Sequence, residues 1–120
     1  MYRIPCAIAY ISDGYTPACV LTLFRADLPQ LIALVDKTKE GSCKGVELAG
    51  KDQSVCRVSC EGGLLVFVIG DLTLRLDEDQ DGCFVSFLAD MTADAPRYDH
   101  IDLEIRTAEG RCDLTVCVER

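Results

Sequence analysis

The sequence predicts an α+β fold, mainly an antiparallel β meander with one helix at about 28–39 packed on the sheet. Three observations predict it. Apolar and polar residues alternate through much of 54–76 and 100–118, the two-residue period of strands with one buried face. Glycines interrupt those runs where a chain would reverse: Gly62-Gly63, Gly70-Asp71 and Glu109-Gly110. Residues 28–39 show the best helical period, with helix punctuation at both ends. The chain of 120 residues, 49% of them hydrophobic, is read as a single domain, 1–120, that can bury a core of its own.

The first 25 residues read as a hairpin turning at Asp13-Gly14. That turn would set Ile8 opposite Cys19, Cys6 opposite Leu21 and Ile4 opposite Leu23. Pro5 has no amide hydrogen for a ladder, so the first strand is expected at an edge or a bulge. In the helix, Asp27 is placed as N-cap, Pro29 suits the first turn, and Gln30 completes a capping-box pattern. Leu28, Leu31, Ile32 and Val35 form the core stripe, Lys37 and Lys39 complement the C-terminal dipole, and Gly41 stops the helix.

Residues 54–76 predict a three-strand meander. Cys60 should face Leu65, Val58 face Phe67 and Cys56 face Ile69. Across the next turn Ile69 should face Leu72, Phe67 face Leu74 and Leu65 face Leu76. Residues 83–92 stay open between a strand, which is favoured, and a short second helix near 84–92 carried by Phe84, Phe87, Leu88 and Met91. In the last hairpin Ile105 is expected opposite Leu114, Leu103 opposite Val116, Ile101 opposite Val118 and Arg106 opposite Asp113.

Charge is unevenly spread. Residues 71–104 hold ten acids against two bases, which accounts for the whole net charge of −8, while the flanking segments balance. A sequence pI near 4.5 argues against a nucleic-acid partner and against an anionic membrane surface, both of which select Lys and Arg. No apolar run reaches the ~18 residues of a membrane span. The start, Met1 to Cys6, lacks a signal-like apolar segment, so a cytoplasmic location is expected. There the eight cysteines stay reduced, and their spacing does not match a zinc site.

Chemistry-bearing patterns are few, and no motif calls for a cofactor. Asp77, Asp79, Asp81 and Gly82 match the first half of a calcium loop, but Leu88 stands where the closing Glu belongs. This makes a calcium site the alternative reading of that turn. His100 beside Asp99 and Asp102, with Cys117 near, offers a second alternative, a small enzyme. The first reading is a non-catalytic binding protein that shows an acidic face to a cationic protein partner. Its candidate contacts are Asp77, Glu78, Asp79, Asp81, Asp90, Asp94, Tyr98, Asp99, His100, Asp102 and Glu104. Phe84 and Phe87 would join Tyr98 as aromatic anchors if exposed. An exposed sheet edge would also let two copies pair as a homodimer.

The ending, Asp99-His100-Ile101-Asp102-Leu103-Glu104 followed by Cys112-Asp113-Leu114-Thr115-Val116-Cys117, resembles that of small acidic immunity proteins of bacterial polymorphic-toxin systems. Asp102 stands where members of those families often carry a second His. The resemblance implies a non-catalytic inhibitor that binds a cognate toxin, often a nuclease.

Overall fold

The structure, a computed structural model, describes residues 2–11, 16–93, 99–108 and 110–119. Strands occupy 52% of the chain, and the sheet nearly closes on itself. This overturns the expected meander with a helix laid on it. The elements are β1 (Tyr2–Ile11), β2 (Ala18–Phe24), α1 (Leu28–Glu40), β3 (Val46–Ala49), β4 (Val55–Glu61), β5 (Leu64–Ile69), β6 (Leu72–Arg75), α2 (Glu78–Asp90), β7 (His100–Thr107) and β8 (Gly110–Glu119). Their order in the sheet is β6-β5-β4-β3-β1-β2-β8-β7, and the outer strands β6 and β7 come near each other.

Two pairings are parallel, β1 with β3 and β2 with β8. A meander of sequential hairpins cannot contain them. α1 lies between β2 and β3 in sequence and carries the chain across to the far side of β1, as a parallel connection requires. β3, unforeseen in the sequence, has only four residues, too few to display a period.

β1 is shared between two half-sheets. Tyr2–Pro5 pair with β3, and Cys6–Ile11 pair with β2. The changeover falls at Pro5, which brings no amide hydrogen to either neighbour.

The meander β4-β5-β6 has the register read from its glycines: Cys60 opposite Leu65, Val58 opposite Phe67, Cys56 opposite Ile69, then Phe67 opposite Leu74. The Leu76 amide donates to the Leu65 carbonyl at 3.1 Å, extending the ladder one step beyond β6. The other two hairpins are each displaced by two residues from expectation. Cys6 faces Leu23, Ile8 faces Leu21 and Tyr10 faces Cys19, because Pro17 has no amide and pairing starts at Ala18. The Asp13-Gly14 turn lies outside the described residues. Ile105 faces Cys112, Leu103 faces Leu114 and Ile101 faces Val116, because the closing pair is Thr107 with Gly110, within the strands. Arg106 therefore stands opposite Arg111, and Asp113 stands opposite Glu104. A two-residue slip keeps every side chain on its face, so the buried set survives both corrections.

α1 matches its expected span within a residue, but its details differ. Asp27 makes no side-chain cap, and a 3-10 turn over Arg25–Asp27 leads directly into the helix. Leu34 is buried where Ile32 is only partly so. Gly41 ends the helix at φ +85°, with the Ser42 amide reaching back to the Lys37 carbonyl at 2.9 Å.

α2 replaces the strand favoured over 83–92, and it begins earlier. Asp77 accepts from the Gln80 amide at 2.8 Å, and the Gln80 side chain accepts from the Asp77 amide at 3.0 Å, a complete capping box. Glu78 and Asp79 then lie at the positive end of the helix dipole. Phe84, Phe87 and Leu88 enter the core, and Phe84 meets Phe67 edge-on at 5.1 Å between ring centroids.

Asp81 fastens α2 to the rest of the core. It is buried, accepts from the Leu65 amide at 2.9 Å and forms an ion pair with Lys39 of α1. Replacing it by Ala strips an acceptor from a buried amide and a counter-charge from a mostly buried ammonium. The Asp81→Ala variant is expected to lose about 3 kcal/mol of stability, read as a lower urea midpoint. An unchanged midpoint would show the contact to be dispensable.

Candidate functional site

The acidic segment divides in space. Its larger part follows β7, an edge strand whose exposed row is His100, Asp102, Glu104 and Arg106. Successive members of such a row stand about 6.5–7 Å apart. The Gln80 side-chain amide donates to the Glu104 carbonyl at 2.6 Å, so the capped turn Asp77-Glu78-Asp79 lies beside this row. Asp77, Glu78, Asp79, Asp99, His100, Asp102 and Glu104 thus form one strip of exposed groups.

The other candidates are elsewhere. Asp81 points into the core, as described. Asp90 is exposed at the opposite end of α2, about 18 Å from Glu78 by helical rise. Asp94 and Tyr98 lie outside the described residues. Phe84 and Phe87 are core residues and cannot act as surface anchors.

Charges within the strip are partly balanced. Arg111 approaches Glu104 at 3.3 Å and Asp113 at 3.4 Å, and the Thr115 hydroxyl donates to Asp102 at 2.6 Å. His100 stands between two carboxylates, with Nδ1 2.8 Å from Asp99 and Nε2 3.5 Å from Asp102. The hydrogen bond to Asp99 raises its pKa above the ordinary 6.5, and the charge of Asp102 adds to the effect.

The calcium alternative loses its geometry. Asp77, Asp79 and Asp81 are on the first turns of a helix, where alternate residues point apart. Among the described residues no group of three His, Cys, Asp or Glu is placed to hold a metal ion. Cys117 stands across the ladder from His100, but its sulfur is taken by the Thr22 hydroxyl at 3.2 Å and the Leu21 carbonyl.

Four cysteines, Cys6, Cys19, Cys56 and Cys112, are buried in the interior from four different strands. Burial raises the Cys6 thiol to about 11 and the Cys19 thiol to about 12, with nearby groups adding to each shift. Cys56 and Cys112 are raised for the same first reason. Such thiols stay protonated at neutral pH and act as core, not as nucleophiles. All eight cysteines are free, and Cys83 is exposed.

A concavity away from the acidic strip was not foreseen in the sequence. It encloses about 760 Å³ where β1 runs on beyond the end of β3. Ile8 and Tyr10 of β1 form one wall, and Val55, Val68, Ile69 and Leu72 form the apolar part of the other. Asp52, Arg57 and Asp71 supply its charges. Arg57 is held by Glu47 at 3.5 Å, and Asp52 accepts from the Ser54 amide at 3.1 Å and from the Ser54 hydroxyl. Those bonds, the hydroxyl first, lower the Asp52 pKa and keep it ionised. Gln53, in the same loop, takes φ +69°, a strained conformation for a side chain other than Gly or Asn. Strand-length mismatch, the only signal for this groove, cannot be seen until the sheet order is known. Neither His100 nor Cys117 lines it.

Comparison with protein-family models, with curated proteins and with solved structures finds no match to this chain. Among the described residues the fold defines a class, a near-closed eight-stranded sheet with two helices. No helix in the described residues is long and apolar enough to cross a membrane.

Two outcomes follow from the titrating groups. His100 is expected to titrate above 6.5 by NMR, and Asp99→Asn should move its midpoint down further than Asp102→Asn does. A midpoint at or below 6.5 in the parent chain contradicts the pairing. The interior thiols keep their protons in the folded state, while the unfolded chain sheds them from about pH 9. Stability should therefore fall as pH rises above 9, by up to about 1.4 kcal/mol per pH unit for each thiol. Urea titrations at about pH 8 to 10 should show a shallower fall for Cys19→Ala. A slope equal to that of the parent would remove the thiols as its cause.

Proposed function

We propose that this chain is a non-catalytic, cytoplasmic binding protein whose β7–α2 strip docks a cationic protein. The supporting observation is the hydrogen bond from Gln80 to the Glu104 carbonyl, which joins the acidic turn of α2 to the acidic row of β7. Carboxylates from a capped helix and a laddered strand are held in place before any encounter. A partner with a basic patch would meet a preformed field, which favours fast association. Asp79, Asp102 and Glu104 supply charge, and His100, protonated more readily between its two carboxylates, tempers it as pH falls. The specific form of this reading is a toxin-neutralising immunity protein that covers the phosphate-binding surface of a nuclease.

The test is capture of a partner from the source cell at low salt, followed by kinetics with the isolated pair. Binding should weaken steeply toward about 0.15 M salt. A triple variant (Asp79→Asn, Asp102→Asn, Glu104→Gln) should associate at least about tenfold more slowly. A captured partner that binds the triple variant as fast as the parent chain rules out the strip.

A further inference from the structure

We infer that the groove beside β1 binds an extended, basic-apolar peptide by adding it as a strand to the open edge of Cys6–Ile11. This surface is separate from the β7–α2 strip.

The backbone of this stretch is paired on one side. Cys6–Ile11 pair with β2 on one side only, since the ladder to β3 stops at Pro5. Every second residue of this stretch turns its amide and carbonyl toward the groove, and no strand meets them there among the described residues. The stretch is about 20 Å long, room for a strand of five or six residues. A groove of about 760 Å³ also falls in the size range of ligand pockets.

The other sheet edges carry charge. β7 carries Asp102, Glu104 and Arg106 on its exposed face, and its edge receives the Gln80 amide. β6 ends in Arg75, which pairs with Glu61 at 3.3 Å. Charges of this kind discourage edge-to-edge pairing. Cys6-Ala7-Ile8-Ala9-Tyr10-Ile11 carries no charge at all. Among the described residues, two of the three exposed large hydrophobic residues, Tyr10 and Ile11, are in this stretch, and the third, Tyr2, is on the same strand.

The lining of the groove sets the chemistry of the occupant. The apolar wall, Val55, Val68, Ile69 and Leu72, fits alternate apolar side chains of an added strand. Asp52 is ionised, and Asp71 is exposed with no ion-pair partner among the described residues. Arg57 is engaged by Glu47 at 3.5 Å, a carboxylate it shares with Arg3, and the two rim acids Asp52 and Asp71 outnumber it. A Lys or Arg in the peptide supplies what the rim lacks. A second copy of this chain fits less well, because its own Cys6–Ile11 edge brings no cation.

The test pans a phage-displayed library of random linear peptides over the whole protein, then resynthesises the enriched sequences. Enriched peptides should alternate apolar residues and contain Lys or Arg, and should perturb the amide NMR signals of Cys6–Ile11. Main-chain N-methylation of one alternate set of peptide residues should abolish binding, while methylation of the other set should be tolerated, because an added strand bonds through every second residue. Asp52→Asn with Asp71→Asn should weaken binding about tenfold at low salt, with the circular dichroism spectrum unchanged. Four results overturn the inference: no enrichment over an unrelated protein, indifference to both methylation sets, perturbation mapping away from β1, or a dimer closed through β1 that excludes the peptides. The methylation contrast alters only the ligand, so it stands even if a protein variant fails to fold.

Discussion

Among the described residues, the hydrogen-bond ladder passes from one half-sheet to the other only through β1. Its first four residues belong to β3 and its last six to β2. This division makes the sheet curl, because one strand must satisfy two neighbours that never lie opposite the same residue. It also fixes the place of the groove. β3 stops after four residues while β1 continues, so the groove opens where β3 would have run on. The core depends on the same division: Ile4 and Cys6 of β1 point to one interior shared by both half-sheets and both helices.

Closure on the far side is achieved by side chains instead of a ladder. β6 and β7 approach without pairing, and α2, which starts immediately after β6, spans the interval. Its capping residue Gln80 serves twice, accepting from the Asp77 amide and donating to the Glu104 carbonyl. At the next position Asp81 binds the Leu65 amide and Lys39, joining α2 to β5 and α1. The acidity of residues 77–81 thus has several uses at once. One carboxylate caps, one is a buried counter-ion, and the remaining two face solvent at the positive end of the helix dipole. Counting charge along the chain cannot separate these roles.

Much of the local structure was legible from residue order. Cys56, Val58 and Cys60 face their expected partners because tight glycine turns leave a single register for a short meander. α1 was legible because its stripe and its Gly41 stop agree. α2 was only the less favoured reading of its stretch, because Cys83-Phe84-Val85-Ser86-Phe87 has strand propensity, and its start was missed although Asp77-Glu78-Asp79-Gln80 spells a capping box, since the alternate aspartates fit a calcium loop as well. The two displaced hairpins show how parity outlives register: Pro17 and the Thr107–Gly110 closing pair each moved the alignment by two residues, and the buried face was unchanged.

The sequence by itself determined which residues are buried in the strands it revealed, where α1 starts and stops, and the excess of acid over base between residues 71 and 104. Those properties depend on neighbours within a few positions, where periodicity and turn chemistry act directly. Only the tertiary structure decided that two pairings are parallel, that β1 is divided, that Asp81 is inward while Asp79 is outward, and that a groove opens beside Cys6–Ile11. Each of these depends on which distant strand lies alongside, and that is settled by the shared burial of one interior, a quantity no local pattern contains.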